Sequence, residues 1–279
     1  MLVRFHLLPI LLLACAIPAH GITLDWDTST WTAGSLSQSY DIDPSNPGND
    51  ITVTFSNDTS ALTNDPTTGI QTPAIDKTME GGQSPVQKSL DIAANLGTTT
   101  KIIVTVTFSA GYVNGIDGGL SFSIFDIDHQ TNNDRVSAIS ATSLGGASIA
   151  PVISNVGSSV VLSGSGVNQL LDGKFASSQT GVNSGNGNAT ISFGQSQQIS
   201  SFTFTFNNNN GAPKLQQIAI SDINFTPVPE VNPAWFGASA FFLAAGWTLW
   251  ARRRKADSRQ SETDCAAQAE ACESQPPTA

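Results

Sequence analysis

The chain has 279 residues, with 12 lysines and arginines against 22 aspartates and glutamates, and a formal charge of −10. Between residues 22 and 230 the imbalance is steeper, fifteen Asp and two Glu against five Lys and one Arg. Such a surface repels nucleic acid and anionic membrane. The cysteines, Cys15, Cys265 and Cys272, lie outside that segment, which excludes a disulfide framework and leaves an ordinary apolar core as its means of support.

Residues 1–21 join Arg4, an apolar run from Phe5 to Leu13 and small residues beyond it, the pattern of a secretory signal peptide. Ala19-His20-Gly21 suits ordinary cleavage, and Leu12-Leu13-Ala14-Cys15 also fits a lipoprotein box. A chain with its own membrane helix has less need of a lipid, which favours the first.

Residues 22–226 read as one extracellular domain. Runs rich in Val, Ile, Thr and Phe at 51–56, 101–109, 120–128, 135–141, 158–163, 189–193, 199–207 and 215–225 alternate with Gly, Asn and Ser clusters, a pattern of strands and turns. Ile102, Val104, Val106 and Phe108 share one face of their run, and Phe202, Phe204 and Phe206 one face of theirs, so each strand buries one side and wets the other. No stretch before Ala234 carries helical spacing over three turns. The expected fold is all-β, a β-sandwich of jelly-roll-like type, without the Cys-Trp-Cys pattern of antibody domains. Residues 59–85 and 177–188 read as long loops.

Aspartates set among Ser, Thr, Asn and Gly favour turns and divalent-cation sites over helices. In Phe122-Ser123-Ile124-Phe125-Asp126-Ile127-Asp128-His129 the apolar phase slips at Ile124-Phe125, which suggests a bulge or a strand passing between sheets. Asp126 and Asp128 then point to one side, and Asp134 returns near them after a polar turn. A second slip in 218–225 shares the same Ile-x-Asp-Ile core, and if the two segments are neighbours in one sheet, Asp222 joins the group. Asp126, Asp128, Asp134 and Asp222 would then offer hard oxygen ligands suited to Ca²⁺. The alternative pairs Asp126 with Arg135 and leaves the other carboxylates in solvent.

The segment 41–50 resembles a calcium loop but has Asn46 where an EF-hand needs Gly and Thr52 where it needs Glu, so it reads as a proline-kinked turn. Trp26 and Trp31, with Tyr40, would stack on sugar rings if exposed, or else serve the core. His129 is the lone imidazole outside the signal peptide and no cysteine nucleophile is present in the domain. A Ser-His-Asp triad would have to be built on it. No catalytic residue is predicted.

After the domain come a proline-rich linker at 227–233 and an uncharged stretch at 234–251. At about 1.5 Å per residue its 18 residues nearly match a bilayer core, so a single C-terminal transmembrane helix is expected. Trp235, Trp247 and Trp250 sit near its ends, and Arg252, Arg253, Arg254 and Lys255 mark the cytoplasmic side. Residues 252–279 form this basic cluster and a polar cytoplasmic tail of disordered composition. Val228-Pro229-Glu230, the short apolar helix and the arginine-rich end together resemble the PEP-CTERM sorting signal of bacterial surface proteins. This resemblance, over about 30 residues, implies an exosortase-like membrane transpeptidase as partner, with Pro229 and Glu230 as its recognition pair. The tail after Lys255 departs from that pattern and favours a plain tail anchor.

The segment 122–136, with Leu24-Asp25-Trp26-Asp27 and Thr30-Trp31-Thr32, also resembles bacterial surface β-sandwich modules in which an Asp-Ile-Asp strand precedes an Asp-x-Val strand. The expected function is that of a non-enzymatic surface or matrix protein that binds polysaccharide or other envelope components. The alternatives are an anchored carbohydrate-active hydrolase and a purely structural envelope protein.

Overall fold

The computed structural model describes residues 20–44, 46–112, 114–116, 119–129, 133–174, 183–194, 197–208, 211, 213–228, 247, 248, 250, 252, 254 and 255. Met1–Pro229 forms one compact unit and Glu230–Ala279 a second. In chain order the strands are β1 (Ile22–Leu24), β2 (Ser37–Tyr40), β3 (Ile51–Asn57), β4 (Ala74–Asp76), β5 (Ser89–Leu96), β6 (Lys101–Phe108), β7 (Ser121–Phe125) and β8 (Asp134–Ser143). They continue as β9 (Ser148–Ile149), β10 (Val152–Ser154), β11 (Val160–Ser163), β12 (Leu170–Gly173), β13 (Ala189–Ser192), β14 (Ile199–Asn208), β15 (Lys214–Ile220) and β16 (Ile223–Phe225).

These strands form two antiparallel sheets. The first runs β1-β16-β7-β15-β5-β4, with β13 also on β7 and β10 on β13. The second runs β11-β12-β8-β14-β6-β3-β2, with β9 on β8. From β5 to β8 the chain changes sheet at every connection, and again from β13 to β15, so neighbours in sequence face each other across the core. The chain is thus an all-β sandwich, as its alternating pattern implies.

Between the sheets lies a core rich in phenylalanine. Phe202, Phe204 and Phe206 project inward from β14, and Phe122 of β7 stacks on Phe202 at 4.6 Å and on Phe204 at 6.2 Å between ring centroids. Phe108 of β6 meets Phe225 of β16 at 5.0 Å. Burying an aromatic side chain removes some 150–250 Å² of it from water, and contact between rings of opposite sheets fixes their separation.

The two apolar slips have different structural causes. In β7 the alternation is intact: Phe122 and Ile124 enter the main core, while Phe125 points to the opposite face and forms a smaller cluster with Met79 and Ala219. Neither the bulge nor the passage between sheets occurs there: β7 stays in the first sheet with unbroken register, and the apolar Phe125 is accounted for by the crossing segment 58–88, which covers that outer face. The second slip is a true irregularity, since Ser221-Asp222 separates β15 from β16, with Ser221 N–H on the Ser123 carbonyl at 2.9 Å and Ser123 N–H on Ser221 Oγ at 2.7 Å. As expected, the two segments share one sheet.

The crossing segment is ordered by pairing. Thr63 N–H donates to the Ala93 carbonyl at 2.9 Å, Thr72 Oγ1 bridges the Ala93 carbonyl and amide at 2.9 Å each, and Ser89 Oγ donates to the Met79 carbonyl at 2.8 Å. The 41–50 turn closes on buried Asp50, whose carboxylate accepts Ile42 N–H, Asp43 N–H and Asn46 Nδ2, each at 2.7 Å. N–H donors thus take up the carboxylate oxygens that an EF-hand loop would turn to a cation.

The expected signal peptide lies outside the described residues except His20 and Gly21. So does the membrane span, except Trp247, Thr248 and Trp250. These three are helical, as are Arg252, Arg254 and Lys255, whereas Arg253 is outside the description. Arg254 stacks over the Trp250 ring at 4.2 Å. No helix among the described residues is long and apolar enough to cross a membrane.

Gly81 tests the seal between crossing segment and sheet, because its φ is +56° and an added Cβ would collide with the Phe125 ring. Gly81→Ala should cost about 2–5 kcal/mol, the sum of backbone and overpacking penalties. Gly146, with φ +82° and open space around it, should cost only about 1–2 kcal/mol. Urea melts of both variants check the difference.

Candidate functional site

The outward face of the second sheet is built from hydroxyl side chains. Its outward hydroxyls are Ser37 and Ser39 on β2, Thr52 and Thr54 on β3, Thr105 and Thr107 on β6, Ser201 and Thr203 on β14, and Ser137, Ser140 and Thr142 on β8, while Thr205 of β14 lies on the same side but is buried opposite the apolar Ile103 of β6. The register sets these opposite one another, as in Ser37↔Thr54↔Thr105↔Thr203↔Ser140. Ser39 Oγ lies 2.8 Å from Thr52 Oγ1, Ser37 Oγ 3.2 Å from Thr54 Oγ1, and Thr105 Oγ1 3.4 Å from Thr203 Oγ1. Each hydroxyl has one proton and two lone pairs, so such a pair keeps spare capacity toward solvent or a ligand.

No carboxylate occupies an outward position of β2, β3, β6, β14 or β8, although the domain is strongly acidic. The charges on this face are Lys101 and Arg135, and Arg135 is held by Asp172 of β12 through two hydrogen bonds of 2.6 and 2.9 Å. That ion pair takes Arg135 away from the Asp126 partnership considered from sequence. The result is a face free of carboxylates on these five strands, mostly of donors and acceptors in rows about 4.8 Å apart, with Lys101 and Ile103 at the end of β6 as its exceptions.

The aromatic platform does not form. Trp26 is fully buried, donating Nε1–H to the Ser221 carbonyl at 2.9 Å and meeting Tyr40 edge-on at 5.9 Å. Trp31 is half-buried, edge-on to Phe55 at 5.7 Å. Both are held by packing against the N-terminal strands, so Trp26 and Trp31 support the core.

The four aspartates expected to share a cation also part company. Asp134 is buried, with Oδ2 accepting Asp128 N–H at 3.2 Å, and Asp126 stands close enough to add its charge. Burial, and then the charges of Asp128 and Asp126, push the Asp134 carboxyl well above the usual range. Asp222 turns to the N-terminal segment instead, where Oδ1 accepts Trp26 N–H at 2.9 Å. Burial raises it, and Asp25 and Asp27 add to the effect. The break at Ser221-Asp222 sends this side chain away from the other three, and the four do not converge on a cation.

A different group does converge beneath the crossing segment, formed by Asp65, Asp76 at the end of β4, and Asp91 on β5. Each offers one ligand oxygen, and the three oxygens lie within 4.8 Å of one another. Asp91 faces outward beside Ala219 of β15 but is fully buried by the segment above it. Gln217 Nε2 reaches Asp91 Oδ1 at 2.9 Å and Asp65 Oδ2 at 3.2 Å. Thr78 Oγ1 lies 2.6 Å from Asp76 Oδ1 and 2.9 Å from Asp65 Oδ2. Sequence reasoning missed this trio. Its one local signal is Asp91 between Leu90 and Ile92, a charge at an alternate position of an apolar run.

No protein-family model matches the chain, and no curated protein does. Among solved structures it is similar to the family 11 carbohydrate-binding module of the cellulosomal cellulase Lic26A-Cel5E of Clostridium thermocellum, at 14% identity and a TM-score of 0.29, covering 77% of this chain and 99% of that one. It is also similar to a carbohydrate-binding module from work on specific mannan recognition, at 8% identity and a TM-score of 0.32, covering 76% and 100%. The family 11 module of Clostridium thermocellum in complex with a β-1,3-1,4-mixed-linked tetrasaccharide gives 13% identity and a TM-score of 0.31, covering 76% and 99%. At TM-scores this low no ligand is carried over from them, and the fold assignment rests on the strand pairing of the chain itself.

Asp134 gives a pH signature of known sign. A carboxyl whose folded pKa is raised binds more protons folded than unfolded, so stability falls as pH climbs from the unfolded value of about 3.8 through the raised one. Asp134→Asn removes this contribution. Urea melts at pH 3.5, 5 and 7 should show the variant gaining stability relative to the parent as pH rises, and a constant difference would contradict this assignment.

Proposed function

We propose that the chain is an exported surface or matrix protein, non-enzymatic, whose jelly-roll-like sandwich binds envelope polysaccharide through the hydroxyl face of β2, β3, β6, β14 and β8. The observation that carries this reading is the lattice itself: five adjacent strands present Ser and Thr outward in register, free of carboxylates, on a domain otherwise rich in them. A polyhydroxylated chain laid across it exchanges hydrogen bonds with neutral partners. Individually these are worth about 0.5–1.5 kcal/mol, so affinity would come from their number.

Sorting by an exosortase-like transpeptidase at Val228-Pro229-Glu230 belongs to the same proposal. Two features support it: Val228 N–H makes a hydrogen bond to the Gly115 carbonyl at 3.0 Å, and the compact unit ends at Pro229. The proposed recognition pair thus follows directly on a residue still fixed to the sandwich. The basic cluster Arg252 to Lys255 would hold the membrane-side end until processing.

Sedimentation of the purified protein with insoluble envelope polysaccharide tests the binding face. Thr105→Arg and Thr203→Arg should each weaken retention by about tenfold, equivalent to about 1.4 kcal/mol, with melting temperature little changed. Unaltered retention would refute the face, and release of soluble sugar would support the hydrolase alternative. Mass spectrometry of the mature protein should find a new C-terminus near Glu230, whereas an end at Ala279 would refute processing.

A further inference from the structure

The geometry points to a divalent-cation site, of the Ca²⁺ class, formed by Asp65, Asp76 and Asp91 and fastening the crossing segment 58–88 to the first sheet. Three carboxylates within this small volume bring up to three negative charges, and among the described residues no lysine or arginine forms an ion pair with any of them. Asp65 Oδ1 is satisfied by the N–H groups of Thr67 and Thr68, and Asp76 Oδ1 by Thr78 N–H at 2.8 Å. The single Thr78 hydroxyl proton serves only one of its two carboxylate neighbours. Gln217 supplies the remaining donors.

Two oxygens are left over. Asp76 Oδ2 and Asp91 Oδ2 are buried and have no hydrogen-bond partner, and Asp91 is 0% exposed. A buried carboxylate oxygen without a partner is costly, and unpaired like charges beside it raise that cost. A hard divalent cation meets both deficits, because its charge offsets the carboxylates and its bonds of about 2.4 Å to oxygen occupy the idle lone pairs. The three oxygens all lie within 4.8 Å of one another, no farther apart than two ligands of one ion with bonds of about 2.4 Å can stand. The ligands come from three places in sequence: the crossing segment (Asp65), the end of β4 (Asp76) and a strand of the sheet (Asp91). One ion would therefore join the segment to the sheet.

A proton is the competing solution. Burial raises Asp91 well above the usual carboxylate range, and the charges of Asp76 and Asp65 add to this. Burial likewise raises Asp76, whereas for Asp65 the hydrogen bonds from Thr68, Thr67 and Thr78 outweigh burial and hold it below. One shared proton would quiet the cluster without metal, and the two solutions respond oppositely to chelation.

The test uses the purified chain, stripped with chelator and exchanged to pH 7. Native mass spectrometry after addition of CaCl₂ should show one Ca²⁺ bound per chain. At about 100 times the dissociation constant, the melting temperature should rise by about 5–10 °C. Asp76→Asn, a change at a half-buried position that keeps the shape of the side chain, should abolish the shift, while Asp126→Asn should retain it. Proteolysis within residues 58–88 should slow in Ca²⁺ and return with chelator. Failure of Ca²⁺ to bind, or a shift that survives Asp76→Asn, would overturn the site and leave the shared proton as the account.

Discussion

The row of Phe202, Phe204 and Phe206 on β14 is the constraint from which the rest of the sandwich follows. β14 is the strand between β8 and β6 in the second sheet, and its inward rings meet Phe122 and Phe193 from the first sheet and Phe108 from its own. With side chains alternating along a strand, committing these rings to the core commits Ser201, Thr203, Thr205 and Asn207 to the other side. The hydroxyl lattice is therefore the reverse of the phenylalanine row. A one-residue slip of β14 would put rings in water and hydroxyls in the core, so the pattern that stabilises the fold also fixes the register of the outer face.

The two sheets differ in how they finish their outer surfaces. The second leaves its Ser and Thr at the surface, whereas the first is covered over β4, β5, β15 and β7 by the crossing segment and its Met79-Phe125-Ala219 cluster. This cover explains why β5 carries no wet side apart from Asn95, and why Phe125 is buried away from the main core. It also converts Asp91, which on a bare sheet would be a solvated surface charge, into an interior one.

Much of this was legible from sequence wherever one side of a strand is dry and the other wet. β3, β6, β8, β13 and β14 fall within a few residues of the alternating runs, and the shared Ile-x-Asp-Ile cores do lie in one sheet. The pattern failed where a third layer intervenes. β5 shows no alternation because both its sides are buried, and Phe125 looked like a slip because the residues that shelter it come from more than forty positions earlier in the chain. The acidic trio was invisible for the same reason: Asp65, Asp76 and Asp91 are united by a segment folding back, which no local spacing reports. Trp26 shows the opposite limit, since a tryptophan amid aspartates suggests a surface, yet its Nε1–H finds the Ser221 carbonyl and its ring finds Tyr40.

The last fixed contacts of the sandwich have a mechanical meaning. Pro227 bridges to Ile116, Val228 N–H bonds the Gly115 carbonyl, and Ile116 in turn pairs with Ile199 at the start of β14. Tension applied to the chain beyond Val228 therefore meets the 115–116 segment before it reaches the short β1-β16 pair. From there it has a direct route into β14, the strand with the most extensive lateral support in the second sheet. A pull between the C-terminal side and anything held on the hydroxyl face would run largely through that one sheet, loading long antiparallel ladders while bypassing the fastened crossing segment on the far side.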